Sequence, residues 1–363
     1  MTANTSLPPT AVAAPAIAAG PVVWLRQHCF GSASSSFISV LLAVLLVWLG
    51  HKVLVWAVLD AVWFGPAEAC RQASGACWAV VAEKYRLILL GRYPFDAQWR
   101  PVLASAVLLA LLCASAWRRC WRPWLPLLWL AGLAAFGLLM AGGMLGLTKV
   151  STDLWGGLPL TLLLSTVAIA GGFVLGVLLA LGRQSPLPAV RSACTVYIEL
   201  VRGVPLVSVL FMAAFLFPLL LPPGLQVDVL LRVLLALVLF TAAYNAEVVR
   251  GGLQAVPASQ TEAAKSLGMT YGQIQRGIVL PQALRAALPG LVNNFIGIFK
   301  DTSLVTIVSL YELSGALSLA LDSDADWRPF KLEGYLFIAL VYFCFCLLLS
   351  LYSQALERRQ PQP

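Results

Sequence analysis

Eight long apolar runs dominate this chain, at about 38–60, 101–117, 124–147, 160–182, 203–221, 229–249, 288–318 and 334–356. A hydrocarbon core of about 30 Å takes roughly 20 residues of helix to cross, so each run reads as a membrane span. The second is short, and the seventh is long and interrupted. In lipid every backbone N–H and C=O needs a partner inside the protein, which only helices and closed barrels supply. Barrel strands would alternate polar and apolar residues, and these runs do not. The expected fold is therefore an all-α integral membrane protein of about eight transmembrane helices. Composition agrees. Of 363 residues, 60% are hydrophobic and 11% charged, against about 25% charged in an average soluble domain. A soluble globular enzyme, a disordered chain and a disulfide-rich secreted domain are excluded.

The net charge of +8 could suit nucleic acid, but the basic residues sit between the apolar runs rather than on one patch. That is the pattern of the positive-inside rule, and no nucleic-acid partner is expected. With the N-terminus in the cytoplasm, the basic residues of short loops divide 13 inside to 3 outside. Both termini are thus expected in the cytoplasm, with the segment 61–100 external and the loop 250–286 internal. Residues 1–36 read as a disordered cytoplasmic tail, and Met1–Gly20 lacks the basic start of a cleavable signal peptide. Residues 37–147 hold three spans with that external segment, and 157–356 hold five. His28 and His51 are too few for a His-rich metal site, and no metal is expected. Six of the eight cysteines lie in or beside apolar runs. Cys70 and Cys77 share one polar external segment, where they either form a disulfide or remain two packed thiols.

The internal loop carries the chemistry. Ser259-Gln260-Thr261-Glu262 fits a capping box, in which Ser accepts from the Glu N–H and Glu reaches back. Ala263-Ala264-Lys265-Ser266-Leu267 continues as helix. Gly268 suits the left-handed residue that ends one. Thr270-Tyr271-Gly272-Gln273 can cap a second short helix, which Pro281 is expected to interrupt or end. Spacing alone predicts a short helix with a small apolar face of Ala263, Ala264 and Leu267, a sharp turn, and a second helix returning to the membrane. Such a helix can lie on lipid or against another protein.

The letters are more specific. Glu262-Ala263-Ala264, Gly268, Ile278, Leu280 and Pro281 match without a gap the EAA-x3-G-x9-I-x-L-P loop of ABC importer permeases. Thr161-Leu162, Ala180-Leu181-Gly182-Arg183, Arg202-Gly203-Val204-Pro205-Leu206, Ala246-Glu247-Val248-Val249-Arg250-Gly251-Gly252 and Lys300-Asp301-Thr302-Ser303-Leu304 flank it. The chain resembles the polar amino-acid permease family over about 158–355. Its extra N-terminal spans and Gly75-Ala76-Cys77-Trp78 look like the M-type permease subunit of the general L-amino-acid importer. Ser259 departs from the Gly usual there.

The resemblance implies a five-helix core of a type I ABC importer permease in a bacterial inner membrane, translocating amino acids. It implies a coupling helix that docks on a separate ATPase dimer, which would carry ATP and Mg. It also implies a paralogous permease subunit and a periplasmic solute-binding protein. Nothing in the chain fits G-x4-G-K-[ST], so no cofactor is expected on it and ATP hydrolysis is expected on a partner chain. Glu247 and Arg250 are expected to brace the loop, and Glu199 and Arg202 to form contacts at the internal end.

Polar groups inside spans mark the expected substrate pathway: Asn293, Asn294, Lys300, Thr302, Ser303 and Glu312 in the interrupted seventh span. Lys300 and Asp301 can alternatively pair and hold the span together. Gly171, Gly172 and Gly176 read as close-packing positions. Two other classes stay open: a self-contained ion-coupled transporter or channel, for which internal repeats would be usual, and an intramembrane enzyme with a serine-based site.

Overall fold

A computed structural model describes residues 20–357. The expected tail lies outside the described residues up to position 19, and beyond it Pro21–Cys29 forms α1, with proline in the first turn where no N–H is missed. The chain divides into two compact units: the residues up to Gly65 with Ala69–Cys77, and Pro66–Glu68 with everything from Trp78 onward.

In the first unit, α2 spans Ala33–Leu54 and runs on as a π turn over Val55–Leu59. Ser32 caps it, its side chain accepting from the Ser35 N–H at 3.2 Å. The Val62 N–H donates to the Ala76 carbonyl at 2.8 Å, and the Ala76 N–H to that of Trp56 at 2.8 Å. Cys70 and Cys77 are joined by a disulfide, their Cα atoms 5.4 Å apart. The short helix α3 covers Ala67–Gln72.

The second unit holds α4 (Ala79–Leu90), α5 (Trp99–Ala116), α6 (Leu125–Ala141), α7 (Gly157–Arg183), α8 (Pro188–Arg202), α9 (Leu206–Phe211) and α10 (Val229–Ala255). It continues with α11 (Ala258–Ser266), α12 (Tyr271–Ile274), α13 (Leu280–Asp301), α14 (Leu313–Asp322) and α15 (Lys331–Glu357). All eight expected segments are helical, but they are not equivalent. Among the described residues, six helices are long and apolar enough to cross a membrane, and α8 with the stretch Leu206–Leu220 makes a seventh only as a pair bent by 105°. The bend falls at Gly203-Val204-Pro205, because the residue before a proline avoids helical geometry. The third expected span is the 17-residue α6. The expected seventh span is broken. Helix continues as 3-10 turns to Val308, Ser309 turns to a φ of +64°, and α14 starts afresh.

The pair α7 and α10 forms the centre of this unit. Each has 27 residues, or about 40 Å at 1.5 Å per residue. Ala168, Gly172, Gly176 and Ala180 recur every four residues and are all buried, facing Thr241, Ala242, Asn245 and Ala246. Between helices in lipid no hydrophobic driving force operates, so close backbone approach must hold them together. A Cβ on Gly172 would lie 2.6 Å from Cβ of Thr241, and one on Gly176 would lie 2.8 Å from Cβ of Asn245.

Two arginines inside apolar regions answer backbone needs rather than orientation. Arg100, expected in the external segment, is a buried residue of α5. Its Nε donates to the Leu139 carbonyl at 2.6 Å and Nη1 to that of Thr148 at 2.9 Å, which places its charge at the carbonyl end of α6. Arg232 of α10 donates to the carbonyls of Ala213 and Ala214 in the π turn Met212–Leu216, whose ladder leaves such groups open. Beyond the spans, Lys84 of α4 bonds Asp324 at 2.7 Å, a contact that holds the Asp324 carboxyl below the usual range.

The seam predicts a contrast. Gly176→Val should lower the melting temperature of the purified chain, since overpacking typically costs about 1–3 kcal/mol. Gly137→Val in α6, where a new Cβ meets nothing within 4 Å, should melt close to the parent. Equal melting of the two variants would contradict the close-packed seam.

Candidate functional site: the loop 250–286 and its ionic anchor

The segment after α10 folds as helix, turn and helix. The start of α11 differs from expectation. Pro257 occupies the N-cap and no side chain caps the helix, so Ser259 and Glu262 lie inside it rather than in a capping box. Proline fixes its own φ and places the cap two residues early, which leaves Ser259 in the first turn. The end follows the expected chemistry. Gly268 has a φ of +77°; its N–H donates to the Lys265 carbonyl at 2.9 Å, and the Met269 N–H to that of Ala264 at 3.2 Å. This pair of bonds is the Schellman motif, which satisfies carbonyls that a helix end leaves open. Thr270 and Gln273 close a capping box on α12, with the Thr270 N–H donating to Gln273 Oε1 at 2.8 Å.

Pro281 does not end the second helix. Helix runs unbroken from α12 through a π turn, Gln275–Val279, into α13. In that turn the Leu280 N–H reaches back five residues to the Gln275 carbonyl, and the widened turn makes room for a ring that would otherwise strike the preceding carbonyls. Gln282 Nε2 donates to Gln260 Oε1 at 2.6 Å and so ties α13 to α11.

The expected apolar face divides in two. Ala264 is buried in a cluster with Ile198, Val249, Ile274, Val279 and Ala283. Glu262 and Ala263 are exposed, and Leu267 is 82% exposed. Ala264 thus anchors the loop to its own chain, while Ala263 and Leu267 face outward. Ile278 and Leu280 are half-buried, and Pro281 is exposed.

Directly above the loop, Glu247 of α10 gathers three arginines. Arg250 reaches it through Nε at 3.0 Å and Nη2 at 2.5 Å. Arg183, the last residue of α7, bonds it at 3.1 Å, and Arg202, the last of α8, lies 3.7 Å away. Arg183 also bonds Glu199 at 2.8 Å. One carboxylate therefore joins the ends of three helices at the start of the loop. Glu247 and Arg250, expected to brace the loop, pair with each other; Glu199 and Arg202, expected as contacts at the internal end, reach Arg183 and Glu247. Arg183 was missed as a partner, although its place at the end of an apolar run would have flagged it.

The expected pathway residues separate. Lys300 and Ser303 line a groove of about 350 Å³ with Ser314, Tyr335 and Tyr342. Glu312 lies behind it, fully buried. It sits not in the seventh span but at the N-cap of α14, because the chain breaks after Val308; its Oε1 accepts from the Ser314 N–H at 2.7 Å. The Tyr342 hydroxyl donates to its Oε2 at 2.6 Å, and Thr161 Oγ1 lies 3.1 Å from the same oxygen. Tyr342 was missed, though a hydroxyl in the middle of an apolar run is a signal in itself. Thr302 is buried, and its hydroxyl is spent on the Phe299 carbonyl at 2.7 Å. Asn294 turns to Asn245 at 3.3 Å, and Asn293 is exposed. Asp301 is half-buried, and no ion pair with Lys300 is formed among the described residues.

Comparison with known proteins meets this geometry. The family described as the binding-protein-dependent transport system inner membrane component matches residues 172–361. The chain is 42% identical to the inner membrane amino-acid ABC transporter permease protein YhdY of Escherichia coli (strain K12), over 93% of this chain and 92% of that one. It is 36% identical to the glutamate/glutamine/aspartate/asparagine transport system permease protein BztC of Rhodobacter capsulatus, over 95% of each. A chain from a solved amino acid ABC transporter with histidines shares 31% identity, with a TM-score of 0.49, over 55% of this chain and 90% of that one. With one match over more than half its length and two relatives aligned almost end to end, this chain belongs to the family of inner membrane components of binding-protein-dependent transport systems.

Proposed function

We propose that this chain is a membrane-spanning permease subunit of an ATP-driven importer of amino acids in a bacterial inner membrane. The observation that carries the reading is the outward face of α11. A helix with its end fixed by Gly268 and its inner face anchored by Ala264 presents Glu262, Ala263 and Leu267 to something outside the chain. In this reading that something is a separate ATPase dimer, which carries ATP and Mg, so the loop is cytoplasmic and both termini lie on the same side. The names of the two relatives support amino acids as cargo. A paralogous permease subunit completes the pathway, and a periplasmic solute-binding protein delivers the substrate.

The route from ATPase to substrate follows the covalent structure. The continuous helix from Tyr271 to Val308 has 38 residues, starts in the loop and carries Lys300 and Ser303 of the groove near its far end. The Glu247 knot couples the same loop to α7 and α8. Movement of α11 is therefore passed on through rigid elements. Within the groove, the Lys300 ammonium suits the carboxylate that every amino acid carries, and the hydroxyls of Ser303, Tyr335 and Tyr342 suit its polar groups.

Two measurements test this. Gly268→Val forces a branched residue into a left-handed conformation, at a cost of roughly 1–2 kcal/mol from handedness alone. Beyond its two chain neighbours, no atom lies within 4 Å of the new Cβ, so the subunit should still insert and pair. Uptake into vesicles should be abolished and ATPase retention on the purified complex reduced; normal values of both would overturn the reading. For the groove, Lys300→Gln should raise the KM for uptake several-fold while basal ATPase activity is kept. An unchanged KM across several amino acids would remove Lys300 from the pathway.

A further inference from the structure

The loop joining α5 to α6 reads Trp117-Arg118-Arg119-Cys120-Trp121-Arg122-Pro123-Trp124. Three tryptophans and three arginines fall within these eight residues, and no Asp or Glu occurs between Asp96 and Asp153. Trp117, Trp121 and Trp124 are exposed by 73%, 52% and 45%, and Arg119 and Arg122 are exposed as well. Exposed tryptophan beside arginine at the end of apolar helices is the chemistry of the membrane–water boundary, where indole rings sit at headgroup level.

This loop is clasped to a crevice deeper in the same unit. Trp121 Nε1 donates to the Ser115 carbonyl at 2.7 Å, and Trp129 Nε1 to the Ser115 hydroxyl at 2.8 Å. Trp129 and Leu112 then form one wall of a cavity of about 240 Å³, whose other walls include Ile169 and Ala170 of α7 and Phe345 and Leu349 of α15. Ser165 and Thr166 also line it, and the Ser165 hydroxyl bonds the Thr161 carbonyl of its own helix at 2.8 Å. The crevice is thus almost wholly apolar and sits among helices that span the membrane. Leu112 stands five residues before Trp117, or about 7 Å along α5.

We propose that this crevice and the loop above it bind one anionic glycerophospholipid, its acyl chain between α5, α6, α7 and α15 and its phosphate at Arg119 and Arg122. Two features select this occupant. The mostly apolar lining offers an alkyl chain contact and gives a polar solute little to bond. The cationic rim has no carboxylate of its own loop to neutralise it, so it complements a phosphate. The lipid fills the space between α5 and α6 on one side and α7 and α15 on the other, and in doing so it holds them together. The inference does not depend on the transport reading.

The test uses the purified membrane complex in nanodiscs of equal phosphatidylglycerol and phosphatidylcholine, released and weighed by native mass spectrometry. The intact complex should retain phosphatidylglycerol over phosphatidylcholine by at least about tenfold, since each arginine near an anionic surface counts for roughly a factor of five. Arg119→Gln with Arg122→Gln should reduce that preference to near unity. Ala170→Phe, which fills the crevice and leaves the loop intact, should lower the number of retained lipids. A photo-crosslinking residue at position 112 should give a lipid adduct. Retention that is the same in the double glutamine variant, retention that ignores Ala170→Phe, or a crosslink at 112 to a polypeptide would each overturn the proposal.

Discussion

The seam between α7 and α10 fixes the rest of this architecture. In hydrocarbon two apolar helices gain nothing by leaving lipid for each other, so their association rests on contact distance and polar pairing. The four-residue spacing of Ala168, Gly172, Gly176 and Ala180 supplies that distance. Once the seam is closed, Arg183 at the end of one helix stands beside Glu247 near the end of the other. The ionic knot is therefore a consequence of the seam, and α11 leaves α10 from a point that the knot has already anchored.

The knot also explains why so many charges are tolerated near the membrane edge. A single carboxylate shared by Arg183, Arg202 and Arg250 would be a poor compromise if each pair were isolated. Here Arg250 binds both oxygens of Glu247 and Arg183 bridges Glu247 to Glu199. Each guanidinium thus joins one helix end to another. The buried Glu312 solves a different problem. Among the described residues no cation pairs with it. Two backbone N–H groups and the Tyr342 hydroxyl hold it instead, which offsets much of the cost of burying a carboxylate.

Much of this was readable before the structure. The apolar runs set the helices, and Gly268, Thr270 and Gln273 set the turn, because left-handed glycine and a Thr/Gln box act through neighbours in sequence. What local chemistry could not show follows from distant contacts. Pro257 took the cap from Ser259, and the π turn that lets helix pass Pro281 lies where Ile274 and Val279 are buried against distant residues. The groove joined Lys300 and Ser303 but left Thr302 on the buried side, since adjacent residues of a 3-10 turn point about 120° apart. Tyr342 lies 30 residues from Glu312, and only the fold brings them together.

The central claim is that the outward face of α11 delivers ATPase movement to the membrane helices. Its most direct test is site-specific photo-crosslinking from positions 263, 264 and 267 in the intact cell membrane. The account predicts adducts to a cytoplasmic ATPase subunit from Ala263 and Leu267, with none from the buried Ala264. Adducts from positions 263 and 267 to lipid alone would contradict it, and so would adducts to a protein on the opposite side of the membrane.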